Sequence, residues 1–337
     1  MNKIRIGLMG LGTIGRQIYQ QVLNDDRFEI VVISDIGQAE ILRNLLNVSM
    51  KSDVDVELED NYLVCEGERA RLISANHPHE IPWDVFGVDI VIDATGKHRT
   101  REELRPHLEN GAARVILSVL PEGDVDRVIL SGVNDGEASV NDRIISAGSG
   151  STTAAAIGLK VISDTFEIEH ASMTSVHAYT GDQSLHDYAG PDYRRSRSGA
   201  KNIIPNETPA LRGIAQALPA LSGKLTGYAL NVPVQVGSML DLTIALANPI
   251  SHIDEIRNLF IEAENARPDL IETTIDPIVS SDVKECSRSL LVDLQGTMQA
   301  SATIIKLLGW HEGLGHAHRI LDVAALYGEL DQSEDLS

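Results

Sequence analysis

The chain has 337 residues, enough for two domains with separate cores, and its 43% hydrophobic and 23% charged content is that of an ordinary globular protein. A formal net charge of −21 repels phosphate backbones and acidic surfaces, which argues against nucleic acid or a membrane as partner. Two cysteines, Cys65 and Cys286, build no disulfide scaffold and suit a reducing, cytoplasmic setting. Met1-Asn2-Lys3 leads straight into Ile4-Arg5-Ile6, with no apolar leader, and no apolar run reaches membrane-spanning length.

In chain order, Lys3–Met9 reads as a short strand, followed by Gly10-Leu11-Gly12-Thr13-Ile14-Gly15-Arg16 and a helical pattern over Ile14–Leu23. In G-x-G-x-x-G the first glycine makes the tight turn, the second admits a pyrophosphate and the third lets helix pack on strand. Gly10, Gly12, Thr13, Ile14 and Gly15 are therefore candidate cofactor contacts. A second strand, Phe28–Ile33, runs into Ser34-Asp35. Asp35 stands about twenty residues past the last glycine, where a carboxylate hydrogen-bonds an adenosine ribose. It would also repel a 2′-phosphate, so NAD is expected rather than NADP.

A helix follows at Gln38–Asn47, then short strands within Val54–Ser74 around an Asp60-Asn61 turn. The strand Val88–Asp93 ends in Ala94-Thr95-Gly96, and Arg101–Asn110 is helical with Gly111 as its stop. Further strands fall at Val115–Ser118 and Val128–Leu130, and Arg143–Ser146 leads into a Gly/Ser-rich stretch. This alternation predicts an α/β fold with a doubly wound parallel sheet. Thr95 and Ser118 lie at strand carboxyl ends, where such sheets bind cofactors.

Residues 145–160 form a Gly/Ser turn opening an Ala-rich helix, and Ser151, Thr152 and Thr153 offer hydroxyls to its first turn. A helix N-terminus of this kind favours an anion or a developing oxyanion; a plain capped helix is the alternative. Beyond it a long strand, Glu167–Tyr179, closes on Val176-His177-Ala178-Tyr179-Thr180. A polar loop with Arg194, Arg195, Arg197 and Lys201 extends to about residue 207. Helices are expected at Pro209–Leu218 and Ser251–Ala266, and strands at Leu225–Val236, Met239–Ala247, Ser289–Leu294 and Ala300–Leu308. The chain closes on a helix, Ala317–Leu330, and a disordered acidic tail, 331–337.

These stretches, together with Gly132-Val133-Asn134, Asn202-Ile203-Ile204-Pro205, Gly223-Lys224-Leu225-Thr226-Gly227 and Val232-Pro233-Val234, resemble the glyceraldehyde-3-phosphate dehydrogenase family in order and over nearly the whole chain. The resemblance implies an N-terminal Rossmann domain (1–150) completed by the C-terminal helix (315–330). It also implies an α+β catalytic and oligomerisation domain (151–314) with a mainly antiparallel sheet. A small-molecule substrate and a homotetramer follow from it, with residues 181–204 near a neighbouring subunit's cofactor. His177 matches the family's catalytic base, and Thr180 and Thr208 match residues of its phosphate sites.

Other positions depart from the pattern. The family's Ser-Asn-Ala-Ser-Cys-Thr-Thr-Asn supplies a thiolate. Ungapped alignment from Ile145 to Lys160 puts Gly150 at that cysteine, whereas anchoring on Thr152-Thr153 puts Ser151 there. Asn231 stands for an arginine and Pro209 for a glycine. Trp310-His311-Glu312-Gly313-Leu314-Gly315-His316-Ala317-His318 is one residue shorter than its family counterpart, has no clear nicotinamide-holding asparagine, and carries His316 for a tyrosine. Its histidines, at i,i+5 and i,i+2, diverge on a helix and read as no metal site, although His311 or His316 is a candidate to enter a remodelled site.

The expected activity is an NAD-dependent oxidoreductase acting on an aldehyde, another oxo group or an alcohol without a thioester. His177 is its base and Ser151 the second catalytic candidate; Gly150, Ser151, Thr152, Thr180, Thr208 and Asn231 are the substrate positions. The alternative is a catalytically silent NAD-binding paralogue with a regulatory or assembly role.

Overall fold

A computed structural model describes residues 3–50, 55–181 and 183–334. The chain divides into two compact units, Met1–Gly148 with Ala317–Ser337, and Ser149–His316.

The first unit contains β1 (Ile4–Met9), α1 (Thr13–Val22), β2 (Phe28–Ser34), α2 (Ala39–Ser49), β3 (Glu57–Glu59), β4 (Tyr62–Cys65), β5 (Glu68–Ile73), β6 (Ile90–Asp93), α3 (Arg101–Glu109), β7 (Arg114–Leu117), β8 (Arg127–Val128) and β9 (Ile144–Ser146). Its nine-stranded sheet has the order β3-β4-β5-β2-β1-β6-β7-β9-β8. The pairs from β5 to β8 are parallel; the edge β3-β4-β5 is antiparallel. Strands β1, β2, β6 and β7 are near-continuous apolar runs because both faces of a parallel sheet are covered. One face packs Ile6, Leu8 and Phe28 with Ile18 of α1 and with Ile320 and Tyr327 of the C-terminal helix. On the other lie Trp83, Val91, Leu104 and Val115. Gly7 makes the second packing possible: a Cβ there would lie 2.6 Å from the Trp83 ring.

The second unit contains α4 (Gly150–Ser163), β10 (Ile168–His177), β11 (Ile204–Asn206), α5 (Ala210–Ala217), β12 (Leu225–Asn231), β13 (Ser238–Leu246), α6 (Asp254–Ala266), β14 (Ile271–Thr274), β15 (Leu290–Ser301) and β16 (Ile304–His311), and α7 (Gly313–Glu334) begins in it. Its seven strands run β11-β12-β10-β13-β16-β15-β14, antiparallel except at β10/β12 and β14/β15. Alternation along β10 buries Ala171, Met173 and Ser175. Helix α4 is buried along most of its length, and Gly158 lets Leu307 of β16 approach to 2.9 Å of the position a Cβ would take.

Several elements differ from the sequence reading. The expected polar loop contains β11, which pairs with β12. Strand β12 stops at Asn231 rather than Val236, just before Pro233, which has no N–H for a ladder. Ala300 belongs to the long strand β15, and β16 starts only at Ile304. Strand β14, between α6 and β15, falls where the sequence reading placed no element. Helix α7 runs through Glu334, so residues 331–334 continue a helix instead of forming a tail, and the Asp331 carboxylate accepts from Arg114 Nε at 2.9 Å. Residues 335–337 of the expected tail and Val54 lie outside the described residues. His311 ends a strand, so it never shares a helix with His316. Among the described residues no helix is long and apolar enough to cross a membrane.

Candidate functional site

In the first unit the glycine turn has the geometry its sequence requires. Gly10 has φ +94°, in the left-handed region that favours glycine. A Cβ on Gly15 would lie 2.0 Å from the Gly10 carbonyl, whereas one on Gly12 would enter open space. No side chain caps α1, so the first-turn amides, those of Thr13, Ile14 and Gly15 included, remain for an anion. Asp35 follows β2; its Oδ2 accepts from Leu11 N–H (2.7 Å) and its Oδ1 from Gly37 N–H (2.8 Å). These bonds fix the carboxylate beside the turn. Gly10, Gly12, Asp35, Thr95 and Lys97 line one cleft. Ser118, buried after β7, donates its N–H to the Asp93 carbonyl (3.0 Å) and does not line this cleft. Open space at Gly12, uncapped amides and a held carboxylate fit a dinucleotide's pyrophosphate and ribose.

In the second unit α4 begins at Gly150, and its cap is Ser149 rather than Ser151. Ser149 Oγ accepts from Thr152 N–H (3.3 Å) and lies 2.6 Å from Thr152 Oγ1. Because the helix starts earlier than expected, Ser151, Thr152 and Thr153 are buried inside its first turn. Ser151 Oγ is 3.4 Å from Ser149 Oγ and makes no hydrogen bond to His177.

His177 closes β10 in register with Asn231 of β12. Its Nε2 lies 3.1 Å from Ser175 Oγ, two residues back on the same strand face. Burial holds this imidazole below its ordinary pKa, so it is neutral at pH 7. The His311 ring, at the end of β16, meets His177 edge-on with centroids 6.0 Å apart. A Cβ on Gly150 would lie 3.3 Å from His311 Nδ1 and 3.7 Å from His316 Cβ, so glycine at 150 leaves room for the imidazole. Burial first, then the neighbouring His177 and His316, pushes His311 down to about 3. His311 Nε2 is buried without a hydrogen-bond partner among the described residues.

Thr180 and Asn231 come together through Gln183. Its Oε1 accepts from Thr180 N–H (3.0 Å) and from Asn231 Nδ2 (3.1 Å), while Asn231 Oδ1 accepts from Asn206 Nδ2. This network is built from neutral groups. Thr208 stands apart from it and accepts the Ala210 N–H (3.2 Å) at the start of α5. In the polar loop Arg197 pairs with Asp187 (3.2 Å) and Arg194 donates to the Pro205 carbonyl (3.4 Å). The sequence reading missed Ser175, Gln183 and Asn206. The two-residue period of β10 was the available signal for Ser175; Gln183 and Asn206 carried none.

Residues 4–101 match the NAD binding domain of glyceraldehyde 3-phosphate dehydrogenase, and residues 149–313 match its C-terminal domain. Similar proteins include the glyceraldehyde-3-phosphate dehydrogenase of Mycobacterium leprae, 36% identical over 97% of this chain and 99% of its own. Glyceraldehyde-3-phosphate dehydrogenase 1 of Bacillus subtilis is 34% identical over 96% and 97%. Glyceraldehyde-3-phosphate dehydrogenase 1 of Bacillus cereus is 32% identical over 95% and 97%. With both domains matched in order and relatives aligned over almost their full length, the chain belongs to the glyceraldehyde-3-phosphate dehydrogenase family and binds NAD.

Proposed function

We propose that the protein is an NAD-dependent oxidoreductase that acts on an alcohol, a hydrated aldehyde or another oxo group without a cysteine thioester, and that it is not a phosphorylating glyceraldehyde-3-phosphate dehydrogenase. The observation that carries this reading is His177, an imidazole kept neutral by burial and oriented by Ser175. Such a ring accepts the proton of a substrate hydroxyl near neutral pH. Bound NAD supplies the hydride acceptor. Gly10, Gly12, Thr13, Ile14, Gly15, Asp35 and Thr95 are assigned to holding it.

Gly150, Ser151 and Thr152 open α4 where the family's thiol is expected, and no sulfur is present there. A serine alkoxide is much harder to form than a thiolate, and Ser151 is not hydrogen-bonded to the base. Thr180 and Asn231 sit in a neutral network, where a permanent cation would otherwise grip a phosphate. Thr208 is assigned to the substrate side as well. By resemblance to the family we place the protein in the cytoplasm as a homotetramer.

The test is NADH production with a panel of small alcohols and aldehydes, alongside glyceraldehyde 3-phosphate with and without inorganic phosphate. Turnover that needs no phosphate, and that Ser151→Cys does not make phosphate-dependent, supports the reading. Phosphate-dependent turnover near the rate usual for the family overturns it. Silence of the whole panel despite tight NAD binding moves the assignment to a catalytically silent NAD-binding paralogue.

A further inference from the structure

Asp93 ends β6 with its side chain almost wholly buried, and its two oxygens face four donor groups. Oδ1 accepts the Thr95 N–H (2.9 Å) and the Thr95 hydroxyl (2.6 Å). Oδ2 faces His98 Nδ1 at 2.7 Å and His107 Nε2 at 3.4 Å. Behind His107, Trp83 donates its indole N–H to Nδ1 (3.1 Å). An indole nitrogen only donates, so His107 Nδ1 is unprotonated and the ring proton sits on Nε2, aimed at Asp93. The same tautomer removes the obvious alternative. Asp93, His98 and His107 bring ligand atoms within 4.8 Å of one another, but a protonated Nε2 has no lone pair for a metal ion.

The outer end of this relay is a wall of the cofactor cleft. Thr95 and Lys97 line it with Gly10, Gly12 and Asp35, and the Thr95 backbone nitrogen would lie 2.9 Å from a Cβ on Gly10. The loop that Asp93 holds therefore rests against the glycine turn. We propose that Asp93 is a positioning residue for NAD, fixing Thr95 against that turn, and that the proton on His98 tunes NAD affinity.

Burial opposes ionisation of Asp93, yet its bonds from His107, His98 and Thr95 keep it charged, well below the ordinary carboxylate range. The Asp93 hydrogen bond raises His98 above its ordinary value, whereas burial lowers His107. The other groups facing His98 are Glu103 of α3, which favours its charge, Lys97, which opposes it, and the His107 ring, edge-on with centroids 6.3 Å apart. With His107 neutral, the relay carries no net charge while His98 is protonated and one negative charge once it is not. That charge beside the cleft opposes a pyrophosphate, so NAD binds more weakly as pH rises through the His98 titration. Reciprocally, bound NAD raises the His98 pKa.

The test is calorimetric titration of the full chain with NAD from about pH 6 to about pH 9, each point in two buffers of different ionisation enthalpy. The wild type should lose roughly three- to tenfold in affinity across that range and take up protons on binding. His98→Gln, which retains an amide donor, should flatten the profile and abolish proton uptake. Asp93→Asn should weaken NAD roughly tenfold at about pH 6, where the wild-type relay carries no net charge, through loss of the charge-assisted bonds to Thr95. Should Asp93→Asn fail to fold, the His98→Gln profile decides. A flat wild-type profile, a slope that survives His98→Gln, or folded Asp93→Asn with unchanged affinity at the acid end overturns the proposal.

Discussion

Each unit of the chain brings a pair of histidine rings together, and the two pairs differ in whether a carboxylate faces them. Around Asp93, one carboxylate holds His98 toward its charged form and faces the Nε2–H of His107, whose tautomer Trp83 has set. Around Gly150, His177 and His311 meet edge-on with no acid at their nitrogens among the described residues, and burial lowers both. His98, bound to the buried carboxylate and raised by it, behaves as a held charge, useful for fixing a loop. A buried imidazole without such a partner remains a neutral base, ready to take a proton. The missing acid has a second consequence. An imidazole without an orienting carboxylate is a modest activator of a hydroxyl, which weighs against Ser151 as a nucleophile and for direct proton removal from substrate.

The largest effect should come from removing the neutral base. His177→Asn or His177→Ala is expected to lower turnover by roughly 10²–10⁴-fold while NAD affinity, measured by calorimetry, stays nearly unchanged. The wild-type rate should rise with pH and level off below the ordinary imidazole pKa, because the base must be neutral and burial lowers it. Ser151→Ala should do far less; an equal loss with a trapped acyl-enzyme would transfer the chemistry to serine. Smaller is the expected preference for NAD over NADP, roughly 10- to 100-fold, set by the Asp35 carboxylate between the Leu11 and Gly37 amides. Asp35→Ala should weaken NAD and narrow that gap; equal affinities in the wild type would remove Asp35 from the ribose.

What could be read in the sequence follows from how local each feature is. The glycine turn, Asp35 and the alternation of β10 are short-range patterns, and the chain order of strands and helices gave the α/β class. His177 was legible only because its strand motif resembles a family's. Asp93 and His107 were not legible: Asp93 closes β6 and His107 sits in the last turn of α3, and only the packing of α3 with Trp83 beside the sheet brings the two together. The Gln183 network was equally hidden, since three of its members sit in a polar loop and a three-residue strand with no periodicity to read. Ser149 was missed as the α4 cap because three further hydroxyls followed it, and sequence alone does not say which one precedes the first turn.

The smallest effect gives the sharpest contrast, since His98 should respond to pH with the sign opposite to His177 and His311. His311 has a folded value of about 3 against an ordinary 6.5. Between those values the unfolded chain binds a proton that the folded chain does not, so stability rises with pH across the window. It is full above 6.5 and lost as pH falls. From about pH 7 to about pH 5 the loss is about 2 kcal/mol, and His177, also lowered, acts in the same direction. His98 is raised, so its stabilisation is full below 6.5 and lost as pH rises through its folded value. Hydrogen exchange separates the two when β10 and β16 are followed apart from β6. Acid should loosen the first pair of strands, and base should loosen β6 alone, since only His98 is raised. His311→Phe should remove most of the acid effect on β16 and leave the alkaline effect on β6 untouched. If β16 exchanges with the same pH dependence in His311→Phe as in the wild type, His311 is not the buried neutral group that sets it.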